Sequence, residues 1–132
     1  MANDFLKICI TRVPISTPEP GYTKTAGAVL DFHGVVRSLE NGDVIAGIDY
    51  EVYAEMAEQK LRQITAETSG KFSLEAVLLI HRVGFVPVGE PSLFLRVASS
   101  HRAEAFGAGS EIIERLKQEV PIWKNPVQTP RL

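Results

Sequence analysis

In the stretch SSHRAEAFGAGSEIIERLKQEVPIWKNP, residues 99–126, basic side chains stand at both ends of an amphipathic pattern. His101 and Arg102 open it, Lys117 falls on its later turns, and Lys124 follows Trp123 beyond a proline. A helix N-terminus carries unsatisfied N–H groups and the positive end of the dipole. With an arginine and a protonated histidine added, it is suited to holding an anion. The same dipole opposes cations in the first turn by about 0.3–1 kcal/mol. Two readings stay open: an anion-binding end, or side chains lying along a helix terminus with their heads in water.

Helical arithmetic places Ala105, Phe106, Ile112, Ile113, Leu116 and Val120 on one apolar stripe, with Lys117 just outside its edge. A boundary lysine either reaches for solvent or, partly desolvated among other cations, becomes a reactive amine. Trp123 either docks the terminal segment on the core or stacks a ligand, and docking would hold Lys124 in a fixed direction. Arg37 closes the run AVLDFHGVVR, where a strand-end side chain can reach a cleft. Taken together, these residues point to a site for a small anionic ligand, with one or two lysines available for chemistry.

Other chemistries find less support. The chain has 132 residues and a net charge of −2, so no global basic field draws in nucleic acid. Cys9 is the only cysteine and cannot form an internal disulfide; its apolar-alternating context, FLKICITRV, reads as a buried strand position. His33 reads as a strand histidine and His81 as a hydrogen-bonded core histidine, and neither has the spacing of a metal site. GAGSEI lies within the helical pattern and lacks the Lys-Ser/Thr ending of a phosphate loop. No basic leader precedes a long apolar run, and no run approaches the ~20 residues of a spanning helix. A cytoplasmic protein that binds neither membrane nor nucleic acid is expected.

The elements that position these residues follow from pattern. Phe5–Val13 alternates as a first strand. PISTPEPGYTKTAGA is a proline-rich loop. Ala28–Arg37 and Val44–Tyr53 read as a hairpin about the Asn41-Gly42 turn. A helix follows, with Ala57, Leu61, Ile64 and Thr68 on one face and Gly70 as its stop. LEAVLLIHRVG is a strand buried on both faces, FVPVGEP a short bulging excursion, and SLFLRVASS a strand leading into the second helix. Ser99 or Ser100 suits the N-cap of that helix, and Pro121 ends it. NPVQTPRL reads as an unpatterned tail. The expected class is α+β: a mixed or antiparallel sheet with two main helices, in one domain over 1–132.

The segments GAVLDFHGVVR, DYEVYAEMAEQKL, IHRVG…VGE, SSHRAEAF and LKQEVPIWK, in this order, closely resemble the catalytic (large) subunit family of molybdopterin synthase. The resemblance covers about residues 27–124. It implies an α/β-hammerhead fold and a homodimer that binds two small ubiquitin-like sulfur-carrier subunits, forming a heterotetramer. It further implies a sulfurtransferase, needing no cofactor or metal, that moves sulfur from the carrier's C-terminal thiocarboxylate to cyclic pyranopterin monophosphate. The product is the molybdopterin dithiolene of molybdenum cofactor biosynthesis. Carried over by position, Lys117 and Lys124 are the catalytic lysines. Val35, Val36, Arg37, His101, Arg102, Asn125 and Pro126 join them in substrate binding, His101 and Arg102 acting on a neighbour's pocket. The chain departs from the family after Lys124, where Asn125-Pro126 and a short tail (125–132) replace a charged continuation. That departure keeps a non-catalytic relative, binding carrier or pterin phosphate without turnover, as the alternative. A phosphate-binding module outside this family is a third.

Overall fold

A computed structural model describes residues 5–129 as two sheets and two helices, in the order β1 (Leu6–Thr11), β2 (Ala28–Val35), β3 (Leu39–Glu40), β4 (Asp43–Val52), α1 (Ala54–Phe72), β5 (Ala76–Arg82), β6 (Gly84–Pro87), β7 (Pro91–Ser99), α2 (Arg102–Glu119), β8 (Ile122–Gln128). The first sheet has strand order β1-β5-β7-β2; β1 and β5 run parallel and the other pairs antiparallel. In the second, β4 pairs with β3, β6 and β8, all antiparallel. The mixed sheet and the two helices expected from the pattern are both present.

Both helices pack on one face of the first sheet. Leu61 and Ile64 of α1 and Ile112 of α2 are fully buried with Leu79, Leu95 and Val97. Removing each such side chain from water contributes about 1.5–3 kcal/mol. A smaller core of Ile45, Ile48, Tyr50, Val83 and Val86 lies in the second sheet. Ile10, Val52 and Ile122 pack against both cores and join them.

Helix α1 buries Ala57, Leu61, Ile64 and Thr68 as their spacing requires. It runs through Gly70 and stops at Ser73, whose φ of 53° is left-handed while Leu74 N–H donates back to the Ser69 carbonyl. The Asn41-Gly42 turn has positive φ at both residues, 51° and 84°, as a tight hairpin turn needs. Its hairpin joins β3 to β4, however. β2 ends at Val35 and pairs with β7 instead, so the expected β2–β4 hairpin does not form.

Three further expectations are corrected. Cys9 is exposed, because β1 is an edge strand whose partly buried residues are Leu6, Ile8 and Ile10; Cys9 alternates to the opposite face. Of the expected tail 125–132, residues 125–128 are not a tail but the second part of the strand β8, whose edge position tolerates Pro126; Pro130 to Leu132 lie outside the described residues. The N-cap of α2 is His101, in extended backbone with no side-chain cap bond, rather than a serine; Ser99 Oγ donates to the His101 carbonyl at 2.6 Å. Arg102 alone is then a cation within the first turn, where Glu104 offsets it.

Candidate functional site

A cavity of about 580 Å³ opens where the two sheets meet the C-terminal half of α2. Its volume lies in the range of small-molecule sites. Four separate parts of the chain bring basic groups or polar backbone to it: the end of β2 with Val35, the following turn with Arg37, α2 with Lys117, and β8 with Lys124. Leu93, Ile113, Leu116 and Ile122 supply apolar wall between them.

Each cation is placed by a local cause. Arg37 follows the register irregularity at Gly34/Val35 where β2 leaves the sheet, which turns the chain toward the cavity. Lys117 is exposed on the border of the α2 stripe, beside Leu116, which is buried. Lys124 is held by main-chain pairing of β8 with β4, opposite Tyr50. Its ammonium lies 3.7 Å from Glu40 Oε1, a carboxylate on β3. The fixed direction expected for Lys124 is realised by that strand pairing and not by docking of Trp123, whose side chain remains 54% exposed.

The remaining residues singled out from the sequence lie elsewhere in this chain. Val36 is buried in the second core, its N–H donating to the Glu90 carbonyl. Asn125 and Pro126 sit on β8 opposite Asp49 and Ile48, and Asn125 donates to Glu51 Oε1 at 2.7 Å. His101 and Arg102 are exposed at the opposite end of α2 from Lys117. Fifteen helical steps separate Arg102 from Lys117, roughly 22 Å at the α-helical rise. One chain therefore does not bring the His101-Arg102 end to the lysine end. Phe106, assigned to the apolar stripe, is 61% exposed, because Ala105, Ala108 and Gly109 face the core in its place.

Three polar residues at the cavity were not assigned to the site from the sequence: Tyr50, His81 and Ser92. His81 was legible as a core histidine and is one, 4% exposed with Nδ1 donating to the Arg82 carbonyl at 2.8 Å. Burial holds its pKa below the ordinary imidazole value, opposed by that backbone bond. Tyr50 Oη donates to Ser92 Oγ at 3.1 Å. Only the folded chain, in which Tyr50 of the second sheet reaches Ser92 on β7 and sets its ring against His81 on β5, reveals that these residues border one space. His33, on β2, borders the same space, with its ring edge against Phe94.

The arrangement can attract an anion, stabilise negative charge developing on it, and exchange protons through an ammonium group. Among the described residues no group of three or more His, Cys, Asp or Glu could hold a metal. No described helix is long and apolar enough to cross a membrane.

The model of the MoaE protein family matches residues 10–119. The molybdopterin synthase catalytic subunit of Bacillus subtilis is 39% identical over 121 residues, covering 89% of this chain and 77% of that protein. The corresponding subunit of Thermoplasma volcanium is 37% identical over 102 residues, covering 77% of this chain and 74% of that protein. Among solved structures, molybdopterin synthase from Staphylococcus aureus superposes with a TM-score of 0.83 at 34% identity, covering 95% of this chain and 92% of that one.

Proposed function

Since this chain belongs to the MoaE protein family, we propose that it is the catalytic subunit of a molybdopterin synthase. It transfers sulfur from the thiocarboxylated C-terminus of a small ubiquitin-like carrier subunit to cyclic pyranopterin monophosphate, forming the molybdopterin dithiolene. It works as a homodimer within a heterotetramer, in the cytoplasm, with residues 1–132 forming one functional domain.

The observation that carries this reading is the convergence of Arg37, Lys117 and Lys124 on one cavity from three separate elements. A pterin phosphate is a small anion, and a thiocarboxylate tail is anionic as well, so both reactants suit a cavity ringed by cations. Sulfur transfer builds negative charge on the carrier's terminal carbonyl oxygen and on the phosphate oxygen that leaves when the cyclic phosphate opens. Lys117 serves the first of these and Lys124 the second, each as an ammonium that stabilises charge or passes a proton. Arg37 anchors the phosphate through its planar fork of donors. Val35 lines the substrate's path in this cavity, whereas Val36, Asn125 and Pro126 lie outside it. His101 and Arg102, lying roughly 22 Å along α2 from Lys117, act on the cavity of the second copy.

The test mixes this protein with thiocarboxylated carrier and cyclic pyranopterin monophosphate and measures dithiolene as its oxidised fluorescent derivative. Lys117→Ala is expected to lower kcat by about 10²-fold or more, as for loss of an oxyanion donor, while carrier binding persists. Turnover of that variant near the wild-type rate would remove Lys117 from the chemistry. A wild-type protein that binds carrier but makes no product would be the non-catalytic relative instead.

A further inference from the structure

We propose that His81 accepts a hydrogen bond from the N–H edge of the pterin, at a position in the cavity distinct from its cations, and so sets which heterocycle the cavity takes. This inference rests on the reading of the cavity as the pterin site. It begins from the two nitrogens of the ring. A carbonyl can only accept, so the 2.8 Å contact between Nδ1 and the Arg82 carbonyl places the ring proton on Nδ1. Nε2 is then left as a lone-pair acceptor, and among the described residues it has no hydrogen-bond partner. Yet the residue borders the cavity.

The ring is fixed in place. His81 sits between Ile10 of β1 and Leu93 of β7 in the sheet register, and it meets the Tyr50 ring edge-on at 5.3 Å and 75°. Tyr50 Oη donates to Ser92 Oγ, and Ser92 Oγ donates to the Gly34 carbonyl at 3.4 Å. Each hydroxyl proton is thus turned inward, and what the trio has left to offer a ligand is acceptor capacity. Arg37, Lys117 and Lys124 on the same cavity are donors without acceptors.

A cavity divided in this way fits a ligand that is anionic in one part and carries N–H donors in another. Cyclic pyranopterin monophosphate has that division: a phosphate diester in one part, an amino group and ring N–H groups in the other. The peptide tail of a carrier has a charged end but no comparable donor edge on a planar ring. Burial keeps the imidazole neutral, which the acceptor role needs, since an imidazolium would donate from both nitrogens. A ligand presenting an acceptor in place of the N–H would leave two lone pairs opposed, the kind of mismatch that gives strong discrimination.

The experiment uses the complex with thiocarboxylated carrier, comparing wild type with His81→Phe, which keeps a ring against Tyr50, and His81→Gln, which keeps an acceptor. With His81→Phe the KM for cyclic pyranopterin monophosphate should rise about tenfold or more while kcat and the KM for carrier stay within about threefold; His81→Gln should recover most of the loss. An unchanged pterin KM in a folded His81→Phe variant overturns the proposal, as does a rise confined to the carrier KM. Nitrogen-15 spectra of the wild-type protein give a readout that no variant's folding can obscure. On addition of cyclic pyranopterin monophosphate alone, the Nε2 resonance should move upfield as the lone pair becomes hydrogen-bonded. An Nε2 resonance that does not move under saturating ligand overturns the proposal too. Absence of wild-type turnover would instead count against the proposed enzyme.

Discussion

Glu40 is the one carboxylate paired with a cation of the cavity among the described residues, and its removal tests what Lys124 does. The Glu40 Oε1 to Lys124 Nζ distance is 3.7 Å. Coulomb attraction at that separation is about 1 kcal/mol in water and about 4.5 kcal/mol at an effective dielectric of 20. The Lys124 side chain is 54% exposed and that of Glu40 19%, so the effective value lies toward the aqueous end. Exposed pairs of this kind are worth about 0.2–1 kcal/mol. Glu40→Gln keeps the shape of the side chain and deletes that charge. If Lys124 faces the substrate phosphate, the freed ammonium should lower the KM for cyclic pyranopterin monophosphate by about two- to fivefold. The gain should fade as ionic strength rises and the Debye length shrinks to about 3 Å at 1 M salt. The measurement is steady-state turnover against pterin concentration at low and high salt. An unchanged KM at low salt would place Lys124 away from the anion. A rise in KM would mean that Glu40 orients Lys124 more than it neutralises it.

Two other outcomes concern stability. Arg96 binds Asp31 with both of its carboxylate oxygens (2.7 and 2.9 Å) and also donates to the Pro18 and Glu19 carbonyls, tying the proline-rich loop to the first sheet; Arg96→Ala should cost about 2–3 kcal/mol and lower the melting temperature by roughly 6–12 °C. A loss below about 0.5 kcal/mol in urea titrations would show the clamp to be incidental. His81, with its folded pKa held below the ordinary value, binds fewer protons folded than unfolded in the window between that lowered value and about 6.5. Its contribution is therefore fully present above about pH 6.5 and is lost as pH falls through the folded value. Urea midpoints measured across this range should fall on acidification more steeply for wild type than for His81→Phe, and equal slopes would contradict the assignment.

The parts of the fold that the sequence announced are those governed by local period. Ala57, Leu61, Ile64 and Thr68 fall on one helical face and are all buried. Asn41-Gly42 adopts the backbone that its composition demands. What local pattern could not supply was strand partnership. β2 and β4 flank a tight turn, yet β2 finds its partner in β7, far along the chain, because the hairpin is completed by the two-residue β3. Residues 122–128 lack alternation and contain a proline, but an edge strand needs only one row of main-chain partners, and β4 offers it. At the cavity, Arg37, Lys117 and Lys124 were legible as cations and through the family pattern, and they do border one space. His81, Tyr50 and Ser92 were not read as site residues, because each also satisfies the ordinary requirements of a strand interior. Their relation appears only when the two sheets are brought together, Tyr50 of β4 meeting Ser92 on β7 and His81 on β5.

Ile10, Val52 and Ile122 belong to both cores at once, and Ile122 lies at the start of the last strand. One strand therefore carries a piece of the seam, a piece of the cavity wall at Ile122 and the cation at Lys124. Peeling β8 from β4 would open the joint between the cores and dismantle the cavity together. The integrity of the seam and the completeness of the site are one property.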